Sequence, residues 1–548
     1  MNGGMIMKRM ISAALATMIS VSMLAGCGTE TTKKVEYQEI TFPLETTETI
    51  NIWTANYASA SVDDYSQMRM YKELMDEANV DITFTHPSLA NVAEQFNIMI
   101  ASNELPDIFE QGEDYYKGGL AAAYEDGVII DIMEYIDYAP NLKAIMEKYP
   151  QLKGEICDEN GRMLAFPIIR GGNNVRTYVG PAFRKDILDK YGLKIPETID
   201  EWYEVLTALK NNGVEAPLTI RFDNLFDRTV FSGAYDIVPD YFVEDGKVVC
   251  GYYDERFKDY IGTIRKWYSE GLIDSDMMVL DGKAVNSKFL NGQTAAVIAS
   301  NGGFTSLNPK SSGNPDFVME AAPYPARDEN HTPYLVYRDK IAYPVASITT
   351  QCENKALAVK LIDYFYSYEG NLLANFGIEG ETYDMVDGKP VYNDYIMKNP
   401  DGKTMSQAGL QYSRAFSFGA FVQDKVYGNQ WYGLDGQKKA TELWTKNIDL
   451  YNEKNPFLYG TLTASEVTKT ASKQTDIDTY CKETVGKFIL GTEPIENMDK
   501  FFEQLKLMGI EDIIKVKQDA YDRFIAKYPE LAKGSSYEVS DFFWESDN

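Results

Sequence analysis

Thr49-Ile50-Asn51-Ile52-Trp53 and Val80-Asp81-Ile82-Thr83-Phe84, with the residues between them, decide the fold. Both runs alternate apolar and polar residues with period two, as a half-buried strand does. Between them, Met68, Tyr71, Leu74, Met75 and Ala78 recur at helical spacing. Val92, Phe96 and Ile100 extend the pattern as a second helix over 90–102, and Leu105-Pro106-Asp107-Ile108-Phe109 reads as a third strand. A β-α-β-α-β rhythm argues for a parallel sheet covered by helices, so the fold class is α/β.

The rhythm returns downstream. Strands are expected over 161–167, 177–183 and 294–299, and helices over 184–191, 196–210, 255–270 and 354–368. Thr198 and Asp200 supply N-cap chemistry and negative charge to the helix opening near 196. After 400 the chain reads as mostly helical, with amphipathic segments near 436–453, 475–490, 496–507 and 511–527.

The other end reads as a leader. Lys8 and Arg9 precede an uncharged apolar run, Ile11 to Met23, too short to span a bilayer, and Leu24-Ala25-Gly26-Cys27 follows. This ending resembles a bacterial lipobox, which implies cleavage before Cys27 and acylation of that cysteine. Residues 27–46 then form a polar tether rich in Thr, Glu and Lys. A lipid-anchored chain on the extracellular face of the cell membrane is expected.

Composition narrows the partners. A formal charge of −29 argues against nucleic acid and anionic lipid as ligands. Cys157, Cys250, Cys352 and Cys481 are scattered without a CxxC pair and are expected as isolated buried thiols, although an exported chain can pair them. Two histidines, His86 and His331, supply a His-rich metal site or a Ser-His-Asp hydrolase poorly. No P-loop, GxSxG or HExxH motif is present, and no Asp-Gly pair sits in a full EF-hand series. No cofactor and no metal are expected.

Several segments together resemble the extracellular solute-binding proteins of ABC importers, family 1, the sugar-binding class. They are Leu105-Pro106-Asp107-Ile108-Phe109, Gly161 to Pro167, Pro196-Glu197-Thr198-Ile199-Asp200-Glu201-Trp202, Trp267 to Asp274 and Phe289 to Ala296. Phe376-Gly377-Ile378-Glu379-Gly380-Glu381-Thr382-Tyr383 followed by Asp387-Gly388-Lys389 resembles the large lipoprotein subgroup of Firmicutes. The resemblance implies a periplasmic-binding-protein-like fold of type II: two α/β lobes, a hinge, and a ligand cleft between them. The first lobe is expected over 47–168 and 345–377, the second over 174–341 and 383–548. Crossings are expected near 168–173, 341–345 and 377–383.

Ligands of open α/β sheets sit beyond the carboxyl ends of the strands. That rule selects Trp53, Asn56 and Tyr57 after the first strand, and Gln111, Glu113 and Asp114 after the third. It also selects Arg170, Asn173 and Asn174 at the first crossing, and Ser300 and Asn301 after 294–299. In sugar-binding relatives, positions after these strands supply aromatic, acidic and amide contacts; here Gln111 replaces a common aromatic. Gln430-Trp431-Tyr432-Gly433, preceded by Arg414 and Phe416, reads as a loop offering Trp431 as the second lobe's stacking platform.

For each of these residues a structural role competes: core for Trp53, helix caps for Gln111 and Asp114, an ion pair for Arg170 and a turn at Asn301. The reading is a monomeric, lipid-anchored, non-enzymatic receptor that passes a sugar or oligosaccharide to permease subunits. Three other classes stay open: a peptide or other solute receptor on the same fold, an anchored carbohydrate-active enzyme, and a sensor or adhesin subunit.

Overall fold

The computed structural model describes residues 35–227, 230–334, 342–448, 462–533 and 537–544. The expected leader, Cys27, the start of the expected tether (27–34) and Ile341 lie outside them; the rest of that stretch, 35–46, is not a free tether but packs on the first lobe through Ile40, Phe42 and Leu44, with the Leu44 amide donating to Ala78 O at 2.9 Å.

The alternating runs form the strands that their pattern predicts. Glu48–Trp53 pairs in parallel with Val80–Thr85 and with Ile108–Glu110. Arg69–Ala78 is the intervening helix, burying Met70, Tyr71, Leu74 and Ala78. The six-stranded sheet is completed by Ala342–Ile348, Phe166–Arg170 and Val422–Gln423, in that order outward from Ile108–Glu110. Every strand except Ala342–Ile348 runs the same way, so their carboxyl ends share one edge. The strand expected over 161–167 lies later. Residues 158–162 form a turn in which the Asp158 carboxylate accepts from the amides of Asn160 and Arg162.

A second, four-stranded sheet has the order Met319–Ala321, Val179–Arg184, Thr294–Ser300, Ala216–Thr219. Val179–Arg184 is antiparallel to both neighbours, and Ala216–Thr219 is parallel to Thr294–Ser300. Its flanking helix Ile199–Asn211 starts as Thr198 predicts: the Thr198 hydroxyl accepts from the Glu201 amide, and the Glu201 carboxylate accepts from the Thr198 amide. This reciprocal cap satisfies two amides that the first turn leaves without partners. Trp202, on the same helix, is fully buried against Phe183 of the sheet.

Each sheet carries its own core, giving two lobes. The chain crosses between them at 171–178 and near 424–434, and it passes once more from the second core at Ile513 to the first at Val539. A further crossing joins Tyr334, in the second core, to Ala342, in the first. The crossing expected near 377–383 instead leads into a hairpin, Tyr383–Val386 with Lys389–Tyr392.

The stretch 383–548, expected wholly in the second lobe, divides. Leu410, Ala420, Phe421, Val422 and Val539 pack in the first core. Ala440, Trp444, Cys481, Phe488 and Phe501 pack in the second. Gly180 allows part of this: a Cβ there would stand 2.2 Å from the Trp444 ring, whose indole N–H donates to Ala322 O at 3.1 Å. The tail helices are Asp435–Thr445, Ala464–Leu490, Met498–Met508 and Ile510–Lys527.

Cys157, Cys250, Cys352 and Cys481 are buried free thiols. No helix among the described residues is long and apolar enough to cross a membrane.

Candidate functional site

The edge where the parallel strands of the first lobe end is also where the crossings leave it. In the second lobe, Ala216–Thr219 and Thr294–Ser300 end, and Val179–Arg184 begins, at the edge where the first crossing arrives. The two edges therefore border one interlobe cleft.

On the first lobe this edge is a hydrogen-bonded ledge. Gln111 follows Ile108–Glu110 in a left-handed conformation, φ 64°, and its amide donates to Val345 O at 2.8 Å. That turn sends the chain sideways into Gly112–Tyr115 and points Asp114 at the cleft strand Ala342–Ile348. The Tyr343 hydroxyl donates to Asp114 Oδ1, and the Tyr57 hydroxyl donates to Gln111 Oε1 at 2.9 Å. Tyr57 is 42% exposed. Burial, then the bond to Asp114, pushes the Tyr343 phenol up; burial, then the bond to Tyr57, does the same for Tyr115. These phenols stay protonated across the physiological range and can act as neutral hydroxyl donors. Tyr343 also meets Phe418 edge-on at 5.5 Å.

On the second lobe a cavity of about 550 Å³ opens at the facing edge, lined in part by Tyr178, Arg221, Asn224, Asp281, Lys283 and Ser300. A second cavity, of about 480 Å³, lies between the first lobe and the tail. Glu113, Tyr116, Leu164 and Pro344 form one wall, with Val467 and Phe524 on the other. Both fall within the usual size of small-molecule sites. Among the described residues no group of three or more His, Cys, Asp or Glu is placed to hold a metal ion.

The expected ligand residues separate into three sets. Tyr57, Gln111 and Asp114 come together on the ledge. Arg170 ends its strand, and Asn173 sits on the first crossing, where its amide donates to Glu538 at 2.9 Å. Trp53, Asn56 and Asn301 face the interior. Trp53 is 5% exposed and packs edge-on against Phe96 at 5.4 Å. Asn56 donates to Val62 O and Asp63 O and accepts from the Ala58 amide, which fixes its own turn. Asn301 donates to Gln437 O and Thr441 Oγ1, tying the strand end to a tail helix.

Trp431 is corrected as to its element, and its half-buried ring has protein neighbours. It ends a helix, Lys425–Trp431, rather than lying in a loop, and it packs on Phe416 at 4.4 Å in a cluster with Val175, Phe376 and Tyr392. Arg414, offered beside it, is buried in the first lobe against Glu110.

Of the residues that the strand-end rule selects, Glu113 and Ser300 line the cavities, whereas Trp53, Asn56, Tyr57, Gln111, Asp114, Arg170, Asn173, Asn174 and Asn301 do not, nor does Trp431. Tyr178, Arg221, Asn224 and Tyr343 were missed. The signal for Arg221 was present: Ala216-Pro217-Leu218-Thr219-Ile220 is a strand-like run, and the strand-end rule applied there selects it.

Comparison with known proteins fits this geometry. The family model described as bacterial extracellular solute-binding protein matches residues 59–372. The chain is 25% identical to the fructooligosaccharide ABC transporter substrate-binding protein FusA of Streptococcus pneumoniae, over 94% of this chain and 98% of that protein. It is 24% identical to Lipoprotein LipO of Bacillus subtilis, over 92% and 97%. Among solved structures, the alginate-binding protein AlgQ2 without calcium ion aligns with a TM-score of 0.69 at 24% identity, over 88% of this chain and all of that one.

Proposed function

Because the chain belongs to the bacterial extracellular solute-binding proteins, we propose that it is the receptor of an ABC importer: it captures an oligosaccharide and delivers it to a membrane permease. The observation that carries this reading is the pair of strand edges bordering one cleft. One offers Tyr57, Gln111, Asp114 and Tyr343, the other Tyr178, Arg221, Asn224 and Ser300.

Such a set suits a neutral sugar chain. Phenol hydroxyls, amides and a carboxylate pair with sugar hydroxyls, while Tyr57 and Phe418 offer ring surface to C–H patches. The carboxylates of Glu113 and Asp114 on the first wall favour an uncharged solute over a polyanion. The fructooligosaccharide named for FusA belongs to that class.

Binding here is capture without chemistry. A solute that touches both walls favours the closed state, and a permease can read closure as occupancy. In this proposal the chain acts as a monomer and is held on the extracellular face of the membrane by lipid on Cys27.

The test is thermal unfolding of the purified chain against panels of oligosaccharides, monosaccharides and short peptides. A ligand at ~100 times its Kd stabilises the native state by about 2.7 kcal/mol. A rise in Tm with one glycan class supports the reading and names the cargo. A rise with peptides alone overturns the carbohydrate assignment, and turnover of a bound glycan overturns the receptor assignment.

A further inference from the structure

The last described residues return to the base of the cleft, and the geometry points to a clasp. We infer that residues 537–544 link two interlobe crossings and set how far the lobes open, with Glu538, Ser540 and Trp544 as its positioning residues. This goes beyond solute capture. It rests on the two-lobe fold and not on the identity of the solute.

The contacts fall on both crossings. At the first, the Ser540 amide donates to Gly171 O and the Asn173 amide donates to Glu538 Oε1, each at 2.9 Å. At the other, the Lys425 amide donates to Ser540 Oγ at 2.9 Å. The Lys425 ammonium donates to Glu538 Oε2 at 3.0 Å and also pairs with Asp541. The Trp544 indole N–H donates to Asp424 Oδ2 at 2.8 Å. Glu538 and Ser540 thus each hold both crossings at once.

The clasp is itself fixed to the first lobe. Val539 is fully buried in that core, the Tyr537 hydroxyl donates to Glu155 at 2.9 Å, and the Tyr537 ring stacks on Tyr149 at 5.2 Å. The approach is close enough to dictate sequence on the facing crossing: a Cβ on Gly171 would stand 2.1 Å from Ser540 Oγ.

Hinge motion is absorbed by φ/ψ changes at a few residues between rigid bodies. Amides at 173 and 425 bonded to a third element cannot turn without carrying that element or releasing it. The clasp therefore restricts the rotations available to the crossings. It acts beside Arg170 and Asn173, through the backbone that positions them, without itself touching solute.

The experiment is small-angle X-ray scattering of the full chain without ligand, for the parent and for Ser540→Ala/Trp544→Phe. Hydrogen exchange at the amides of Asn173 and Lys425 is followed in parallel. The Phe ring keeps the packing on Tyr368 and removes the N–H donor. The expected result is a larger radius of gyration in the variant, with exchange at least tenfold faster at both amides. Faster exchange with scattering that superimposes on the parent overturns the inference, because a merely stabilising segment does that.

Should the double variant fail to fold, Glu538→Gln gives the same readout with a milder change. Superimposable scattering there is equally decisive against the clasp. Since no ligand is present, absence of any sugar affinity leaves this test intact.

Discussion

The Arg414 guanidinium donates to the Glu110 carboxylate at 2.9 Å, and both side chains are buried at the cleft end of the first sheet. The guanidinium also donates to the Tyr71 hydroxyl at 2.8 Å and lies over the Tyr65 ring at 4.4 Å. The Thr54 hydroxyl donates to the same carboxylate at 2.5 Å. Two strand ends, a helix and the loop before Val422–Gln423 are thereby joined beneath the ledge that carries Gln111.

Breaking this pair leaves a buried charge without its partner, which costs about 3–5 kcal/mol. Arg414→Met is expected to lower unfolding free energy by that amount in urea titration. The double variant Glu110→Met/Arg414→Met is expected to recover much of the loss, because no charge then remains buried. A single variant within 1 kcal/mol of the parent would contradict the role assigned to the pair.

Three buried carboxylates give stability an unusual pH dependence. Burial, the largest cause in each case, raises Asp424 to about 7 and Asp131 and Asp363 to about 6. An unfolded aspartate releases its proton near pH 4. Between about pH 4 and 7 the native state thus holds protons that the unfolded chain has lost. These groups contribute full stability below pH 4, and the contribution falls as pH rises to 6 or 7. Each pH unit with one such extra proton costs about 1.4 kcal/mol. Asp424→Asn is expected to flatten the decline in denaturant titrations from pH 4 to 7. An unchanged slope would show that Asp424 titrates normally.

Trp431 and Tyr57 are expected to behave oppositely. Trp431→Ala removes a ring packed on Phe416 and Tyr427 and is expected to cost about 1–3 kcal/mol, less than a fully buried Trp. Tyr57→Ala removes an exposed ring and is expected to leave the Tm within a few degrees while weakening ligand binding at least tenfold. Calorimetry on both variants decides; unchanged affinity in Tyr57→Ala would remove it from the site.

Cys27→Ser is expected to move the protein from the membrane fraction to the medium. Acylated protein still sedimenting with membranes would refute the lipobox reading.

Much of the first lobe was legible because its signals are local. Period-two alternation marked Glu48–Trp53 and Val80–Thr85, and the Thr198–Glu201 cap marked a helix start. Local signals fail where structure is made by distant partners. Phe166–Arg170 carries a proline at its second position and pairs with residues far along the chain, so its bounds were missed. The helix Ala464–Leu490 begins with a polar turn that shows no apolar stripe, so only its second half was visible.

The site was legible only as strand ends. Which side chain beyond each end faces the cleft depends on partners such as Val62 for Asn56 or Gln437 for Asn301. Glu110 and Arg414 meet across 304 residues with no common pattern. The return of 537–544 to the first lobe likewise depends on contacts that no local periodicity encodes.

The central claim is that one solute is gripped by both strand edges. It is tested most directly by titration calorimetry with the glycan found in the thermal panel, on the parent, Asp114→Ala and Arg221→Ala. The expected result is at least a tenfold rise in Kd in each variant, with circular dichroism unchanged. Parent-like affinity in both variants would place the solute outside this cleft and contradict the account.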